Sequence, residues 1–144
     1  MPNEFGITVD LSPRPSMRAL RWAFALHLAC FALLLAARLP AVPTAFLAAS
    51  FGASWAWVRR HPALGFGARA WTRLIWHAEG GWTLRRADGT QVDAELQPDS
   101  IVRPAVLVLR FRLPDGRSAA RVLLGDELTP EALRRLRTRL LSAG

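Results

Sequence analysis

The stretch WAFALHLACFALLLAARLPAVPTAFLAASFGASWAWV, Trp22–Val58, decides what kind of molecule this chain makes. Its 37 residues carry one charge, Arg38, which divides them into Trp22–Ala37 (16 residues) and Leu39–Val58 (20 residues). A helix crosses ~30 Å of hydrocarbon with about 20 apolar residues. The second segment meets that length. The first meets it when Ala19 and Leu20 join it, with Arg18 and Arg21 snorkelling to the head groups. Pro40 and Pro43, beside Arg38, are turn and helix-start residues. Residues 19–58 are therefore predicted as a tight transmembrane hairpin, with helices over 19–37 and 41–58. Small residues recur at helical spacing: Ala25, Ala29, Ala32 and Ala36 in the first helix, Ala45, Ala49 and Ala53 in the second. Ala48 and Gly52 form a further small pair. These stripes are expected to let the two helices pack closely against each other.

Two other readings of the stretch fail. A signal peptide fits Arg14, Arg18 and Arg21 ahead of the first apolar segment, but no small-x-small cleavage site precedes the second. A buried soluble helix pair needs more protein around it than the remaining chain supplies. Arg14, Arg18 and Arg21 precede the hairpin, Arg59, Arg60, Arg69 and Arg73 follow it, and the turn holds only Arg38. Positively charged flanks stay inside, so the expected protein crosses the membrane twice with both termini cytoplasmic. Cys30 falls mid-membrane as a small apolar residue.

Outward from the hairpin, composition limits the remaining possibilities. The 144 residues are 51% hydrophobic and 21% charged, a combination that segregates the apolar residues and excludes a disordered chain. One cysteine excludes an intramolecular disulfide, a cysteine zinc site and an iron–sulfur cluster. All 19 basic residues are Arg, which reads as codon bias and makes Arg alone a poor marker of function. Of the net +8, residues 1–21 and 22–58 hold +1 each, residues 59–78 hold +4 and residues 79–144 hold +2. Half the excess sits in the basic juxtamembrane linker, residues 59–69, and just beyond it. Arg59, Arg60, Arg69 and Arg73 are candidate lipid head-group contacts, at ~1 kcal/mol each on an anionic surface. The mildly basic remainder argues against nucleic acid as a partner.

Residues 70–144 change to short alternating runs separated by turns. Ala70–His77 is predicted as a strand with Thr72, Leu74 and Trp76 on one face and Trp71, Arg73 and Ile75 on the other. Gly80-Gly81 turns it into Trp82–Arg86, and Asp88-Gly89 forms a hairpin into Gln91–Leu96. Pro98-Asp99-Ser100 precedes the run Val102–Arg112, whose start Pro104 holds at an edge. Asp115-Gly116 forms a second hairpin into Ser118–Leu124. Thr129 as N-cap, Pro130 at the first helical position and Glu131 in the first turn open a final helix. Leu128 and Leu133 form its hydrophobic staple, and Leu133, Leu136 and Leu140 mark its apolar face. The predicted fold is an α+β membrane protein. A cytoplasmic N-terminal segment (1–18) leads into the hairpin, and an antiparallel meander of about five strands is closed by one amphipathic helix. One such helix covers only part of the sheet, so the sheet is expected to lean on the membrane or on a partner.

No catalytic set emerges, and no enzyme activity, cofactor or metal is expected. His27, His61 and His77 share no metal-ligand spacing, and the acidic residues Asp88, Asp99, Asp115, Asp126 and Glu127 fall at turns. There is no phosphate-binding glycine loop. His27 is either functional or part of the helix seam, and Trp71, Trp76 and Trp82 belong to an interfacial belt or to the sheet core. Arg134, Arg135, Arg137 and Arg139 on the last helix are candidate partner-binding residues for an acidic surface, against a plain solvated face.

Several features in this order resemble the YgfX (CptA) family of small bacterial inner-membrane proteins. They are Pro15-Ser16 with Arg18 before the first helix, His27 within it, the Gly80-Gly81-Trp82 and Asp88-Gly89 turns, and the Val106–Arg112 strand. The ending carries most weight: Leu123-Leu124-Gly125-Asp126, then Glu131 to Leu140 with Leu-Arg-Arg-Leu-Arg in its middle. The resemblance implies the membrane-bound toxin of a toxin–antitoxin pair, acting by binding rather than by chemistry. It further implies effects on division and shape through FtsZ and MreB, and a link to SdhE, a small soluble antitoxin that assists flavin attachment to succinate dehydrogenase. An alternative role follows from that link: a membrane scaffold or assembly partner for flavinylation of succinate dehydrogenase.

Overall fold

The computed structural model describes residues 8–143. Residues 1–7 of the expected N-terminal segment lie outside them. The chain opens with a short strand, β1 (Val9–Leu11), followed by α1 (Met17–Ala36) and α2 (Ala41–Val58). Both helices are long and apolar enough to cross a membrane. Arg38, with φ +48°, and the Pro40 N-cap make the tight turn between them. A 3-10 turn, Pro62–Leu64, leads into β2 (Trp71–Trp76), β3 (Trp82–Arg86), β4 (Gln91–Leu96), β5 (Ile101–Val102), β6 (Leu107–Arg112) and β7 (Ser118–Leu123). The last element is α3 (Pro130–Ala143).

The seven strands form one antiparallel sheet in the order β1-β2-β3-β4-β6-β5, and β7 also pairs β6. The α+β architecture read from the sequence is the one observed, with two more strands than expected. β1 is the first addition. It pairs Val9 with Trp76 and Leu11 with Leu74, at sequence separations of 67 and 63 that enclose the whole hairpin. The second arises at Pro104, where the run Val102–Arg112 folds back on itself. Arg103 N–H bonds Val106 O at 3.0 Å, so β5 pairs β6 instead of continuing into it.

The core is formed by Leu11, Trp71, Leu74, Trp76, Trp82, Leu84, Leu107, Leu109, Phe111, Leu123, Leu133 and Leu136. The three tryptophans therefore belong to the core. Trp76 stacks on its cross-strand partner Trp82 at 4.8 Å, and Trp82 meets Phe111 edge-on at 5.2 Å. Strict alternation had placed Trp71 opposite Leu74 and Trp76. The register shifts between Trp71 and Arg73, and this bulge turns Trp71 inward beside them. Leu133 and Leu136 of α3 pack into the inner face of the sheet and are themselves buried.

The hairpin seam differs from the one expected. Ala23, His27, Cys30 and Leu34 of α1 are partly or fully buried, as are Leu47, Ala48, Phe51, Trp55 and Val58 of α2. The alanine stripes Ala25–Ala36 and Ala45–Ala53 lie on exposed faces. Bulky side chains and one polar pair fill the contact instead. His27 Nδ1 lies 2.7 Å from Ala23 O, and Nε2 lies 3.0 Å from Ser54 Oγ across the seam. A carbonyl only accepts, so Nδ1 carries a proton, and in the neutral imidazole Nε2 then accepts from the Ser54 hydroxyl. Trp55 closes the cluster, with Phe24 at 5.6 Å and His27 at 5.7 Å.

Candidate interaction site at the membrane-proximal junction

The first turn of a helix leaves its leading N–H groups without backbone acceptors. In α1 two residues supply them. Ser16 Oγ accepts from Ala19 N at 3.2 Å, and Asp126 Oδ2, from the loop between β7 and α3, accepts from Arg18 N at 2.7 Å. The Ser16 hydroxyl in turn donates to Asp126 Oδ1 at 3.1 Å. A carboxylate at this end also meets the positive pole of the helix. Burial works to raise the Asp126 carboxyl, but the Arg18 N–H and the Ser16 hydroxyl outweigh it and hold the group below the usual carboxylate range. Arg18 answers the loop by donating through Nη1 to Leu124 O at 2.7 Å.

The surrounding chain is tied into the same junction. Arg14 N–H bonds Glu127 O at 2.9 Å, and Ser16 N–H bonds Leu64 O in the turn that follows α2 at 3.0 Å. Glu127 is buried and accepts from Leu124 N and Gly125 N at 2.8–2.9 Å, which shapes the loop that presents Asp126. Arg121, on the inner face of β7, is fully buried. Its Nη2 donates to Arg14 O at 2.7 Å, while Nε and Nη1 have no hydrogen-bond partner. Burial lowers its pKa from the ordinary value, and the nearby Glu127 carboxylate works against that shift. Its guanidinium lies against Gly65, where a Cβ would overlap it.

The arginines singled out in the sequence divide into two groups. Arg134 and Arg135 are exposed on the outer face of α3. Arg137 donates to Pro104 O at 2.6 Å. Arg139 lies over the Trp76 ring at 4.2 Å and donates to His77 O at 3.1 Å. These two hold α3 on the sheet. Arg59, Arg60 and Arg69 are exposed, the first two directly after α2. Arg73 instead forms an ion pair with Asp10 of β1, which depresses the Asp10 carboxyl. Of the turn acids, Asp88 and Asp115 accept local backbone N–H groups and Asp99 pairs Arg110. His77 Nε2 meets Thr83 Oγ1 at 2.7 Å, and Thr83 donates to Asp93 at 2.8 Å. Among the described residues, no three His, Cys, Asp or Glu side chains gather as metal ligands.

Sequence reasoning had not placed Ser16, Gly65 and Arg121 at a common junction. Two signals were available: Ser16 stands directly before an apolar helix, and Arg121 occupies an inward position between Ala119 and Leu123.

The residues gathered here come from both ends of the chain, and a family pattern spans that same length. The model of the CptA toxin family, described as the membrane-bound toxin component of a toxin–antitoxin system, matches residues 8–144. The chain belongs to this family. No curated protein and no solved structure matches it. For a CptA-family toxin the junction has a plain structural meaning: the sheet domain is fastened to the start of its first membrane helix by side chains as well as by the linker.

Proposed function

We propose that this CptA-family protein acts by binding, without chemistry of its own. It inhibits cell division and shape by engaging the cytoskeletal proteins FtsZ and MreB, and a small soluble SdhE-like antitoxin counters it. The observation that carries this reading is the fastening of Asp126 to Arg18 and Ser16. That contact supports a sheet domain held at a set distance from the bilayer, offering a surface to a partner. Arg134 and Arg135, exposed on α3, are its best-placed groups for an acidic partner. The arginine-rich flanks of the hairpin support placing both termini and the sheet domain in the cytoplasm.

The test is tuned expression of the full chain, with imaging of cell shape and identification of co-purifying proteins in mild detergent. The expected result is altered shape with FtsZ or MreB recovered, both reversed by the antitoxin and both weakened in Arg134→Glu/Arg135→Glu. Recovery of the SdhE-like factor with succinate dehydrogenase, and loss of covalent flavin on deletion without a shape effect, would replace this reading with the assembly role.

A further inference from the structure

Arg18, Arg21, Trp22 and Ala25 follow one another at i, i+3, i+4 and i+7, so they share one face of α1. With Asp126 they line a crevice of about 450 Å³ at the start of the helix. Its charges are unlike on its two sides, with two guanidiniums on the helix and one carboxylate on the loop. The Arg18 guanidinium is anchored by a single bond from Nη1 to Leu124 O, which leaves most of its roughly five donors for another acceptor. Asp126 is exposed, and Ser16 and Arg18 N occupy about half of its roughly four lone-pair sites. The first two turns of a spanning helix lie at head-group depth, where an exposed Trp22 is also at home. Below the crevice the same side of α1 continues as Ala25, Ala29, Ala32 and Ala36, an exposed strip of small side chains that the helix seam does not use.

We infer that the crevice seats one phospholipid with a phosphoethanolamine head group: the phosphate lies between Arg18 and Arg21, the ammonium on Asp126, and one acyl chain along the alanine strip. Guanidinium forks match phosphate oxygens, and a primary ammonium supplies the donors that a carboxylate accepts. A phosphoglycerol head group lacks that cation, and a phosphocholine head group lacks its N–H donors.

The test is lipid binding by native mass spectrometry on the delipidated full chain in detergent. The probes are phosphatidylethanolamine, phosphatidylcholine and phosphatidylglycerol with identical acyl chains, soluble glycerophosphoethanolamine, and inorganic phosphate. Phosphatidylethanolamine is expected to bind most tightly. Arg21→Gln should weaken it about ten-fold, the loss of one charge-assisted contact. Arg103→Gln should leave it within about two-fold of wild type, because this exposed residue lies outside the crevice. Ala29→Leu should weaken lipid binding by fouling the acyl track. Arg21 and Ala29 are exposed, so both variants keep the fold. Unchanged binding in Arg21→Gln would overturn the inference, as would equal binding of phosphatidylcholine or phosphatidylglycerol. Competition by glycerophosphoethanolamine or phosphate as strong as by the lipid would also overturn it, marking a site for a free anion.

Discussion

The Asp126 carboxylate caps the backbone N–H of Arg18 at 2.7 Å across 108 residues of sequence. Helix caps are normally supplied by the residue next door. Here the last loop of the sheet domain caps the first membrane helix, so the two parts of the molecule share one hydrogen-bonded joint. Removing an N-cap acceptor costs about 1–2 kcal/mol. Asp126→Ala is expected to destabilise the full chain in detergent by that order, read as a lower thermal midpoint, and Asp126→Asn by less because its amide oxygen still accepts. A midpoint unmoved by Asp126→Ala would show that the joint contributes nothing to stability.

Acid should weaken the same joint. Asp126 and Asp10 both have carboxyls depressed in the folded chain, Asp10 chiefly through its hydrogen bonds from Arg73. A depressed folded pKa gives stability that is present above the unfolded carboxylate range and is lost as pH falls through the folded value. Unfolding midpoints should therefore fall as pH is lowered below the unfolded carboxylate value of about 4. The slope should flatten in Asp126→Ala/Arg73→Gln. Parallel acid limbs in variant and wild type would refute the assignment.

Gly65 and Gly80 offer a matched comparison. Both have positive φ, +89° and +102°, so alanine strains the backbone at either position. At Gly80 the added Cβ meets nothing within 4 Å, whereas at Gly65 it overlaps the buried Arg121 guanidinium. Gly65→Ala should therefore cost about 1–3 kcal/mol more than Gly80→Ala, measured by denaturation of the two variants side by side. Equal losses would mean that Arg121 moves aside freely.

His27 and Ser54 join the membrane helices through one hydrogen bond. Such bonds are worth about 0.6 kcal/mol on average in membrane proteins, because the separated helices find other partners. A double-mutant cycle with His27→Ala and Ser54→Ala should return a coupling of that size. A coupling near zero would assign the seam to packing around Trp55 alone.

The arginines of α3 should separate by experiment. Arg139→Ala loses the contact over Trp76 and the bond to His77 O, and should destabilise by about 1 kcal/mol or more. Arg134→Ala, at an exposed position, should stay within about 0.5 kcal/mol of wild type. Thermal unfolding reads both changes; comparable losses at the two positions would contradict the division.

The sequence by itself determined the parts governed by local rules. Hydrophobic length set the two membrane helices, and Arg38 with Pro40 set their turn. Asp88-Gly89 and Asp115-Gly116 set two hairpins, with Gly89 and Gly116 at φ +87° and +79°. Thr129-Pro130 set the start of α3, where Ala132 N–H reaches the Thr129 hydroxyl at 3.3 Å. Each of these signals acts over a few residues or over one bilayer thickness. The tertiary structure decided what depends on distant partners. The pairing of β1 with β2, the inward turn of Trp71 and the burial of Arg121 against Gly65 are set by which segments meet. So is the choice of His27 and Leu34, over the alanine stripe, for the hairpin seam. Asp126 marks the boundary most clearly. In the sequence it is an acid at a turn, and its role as the cap of α1 arises only because folding brings the two ends of the chain together.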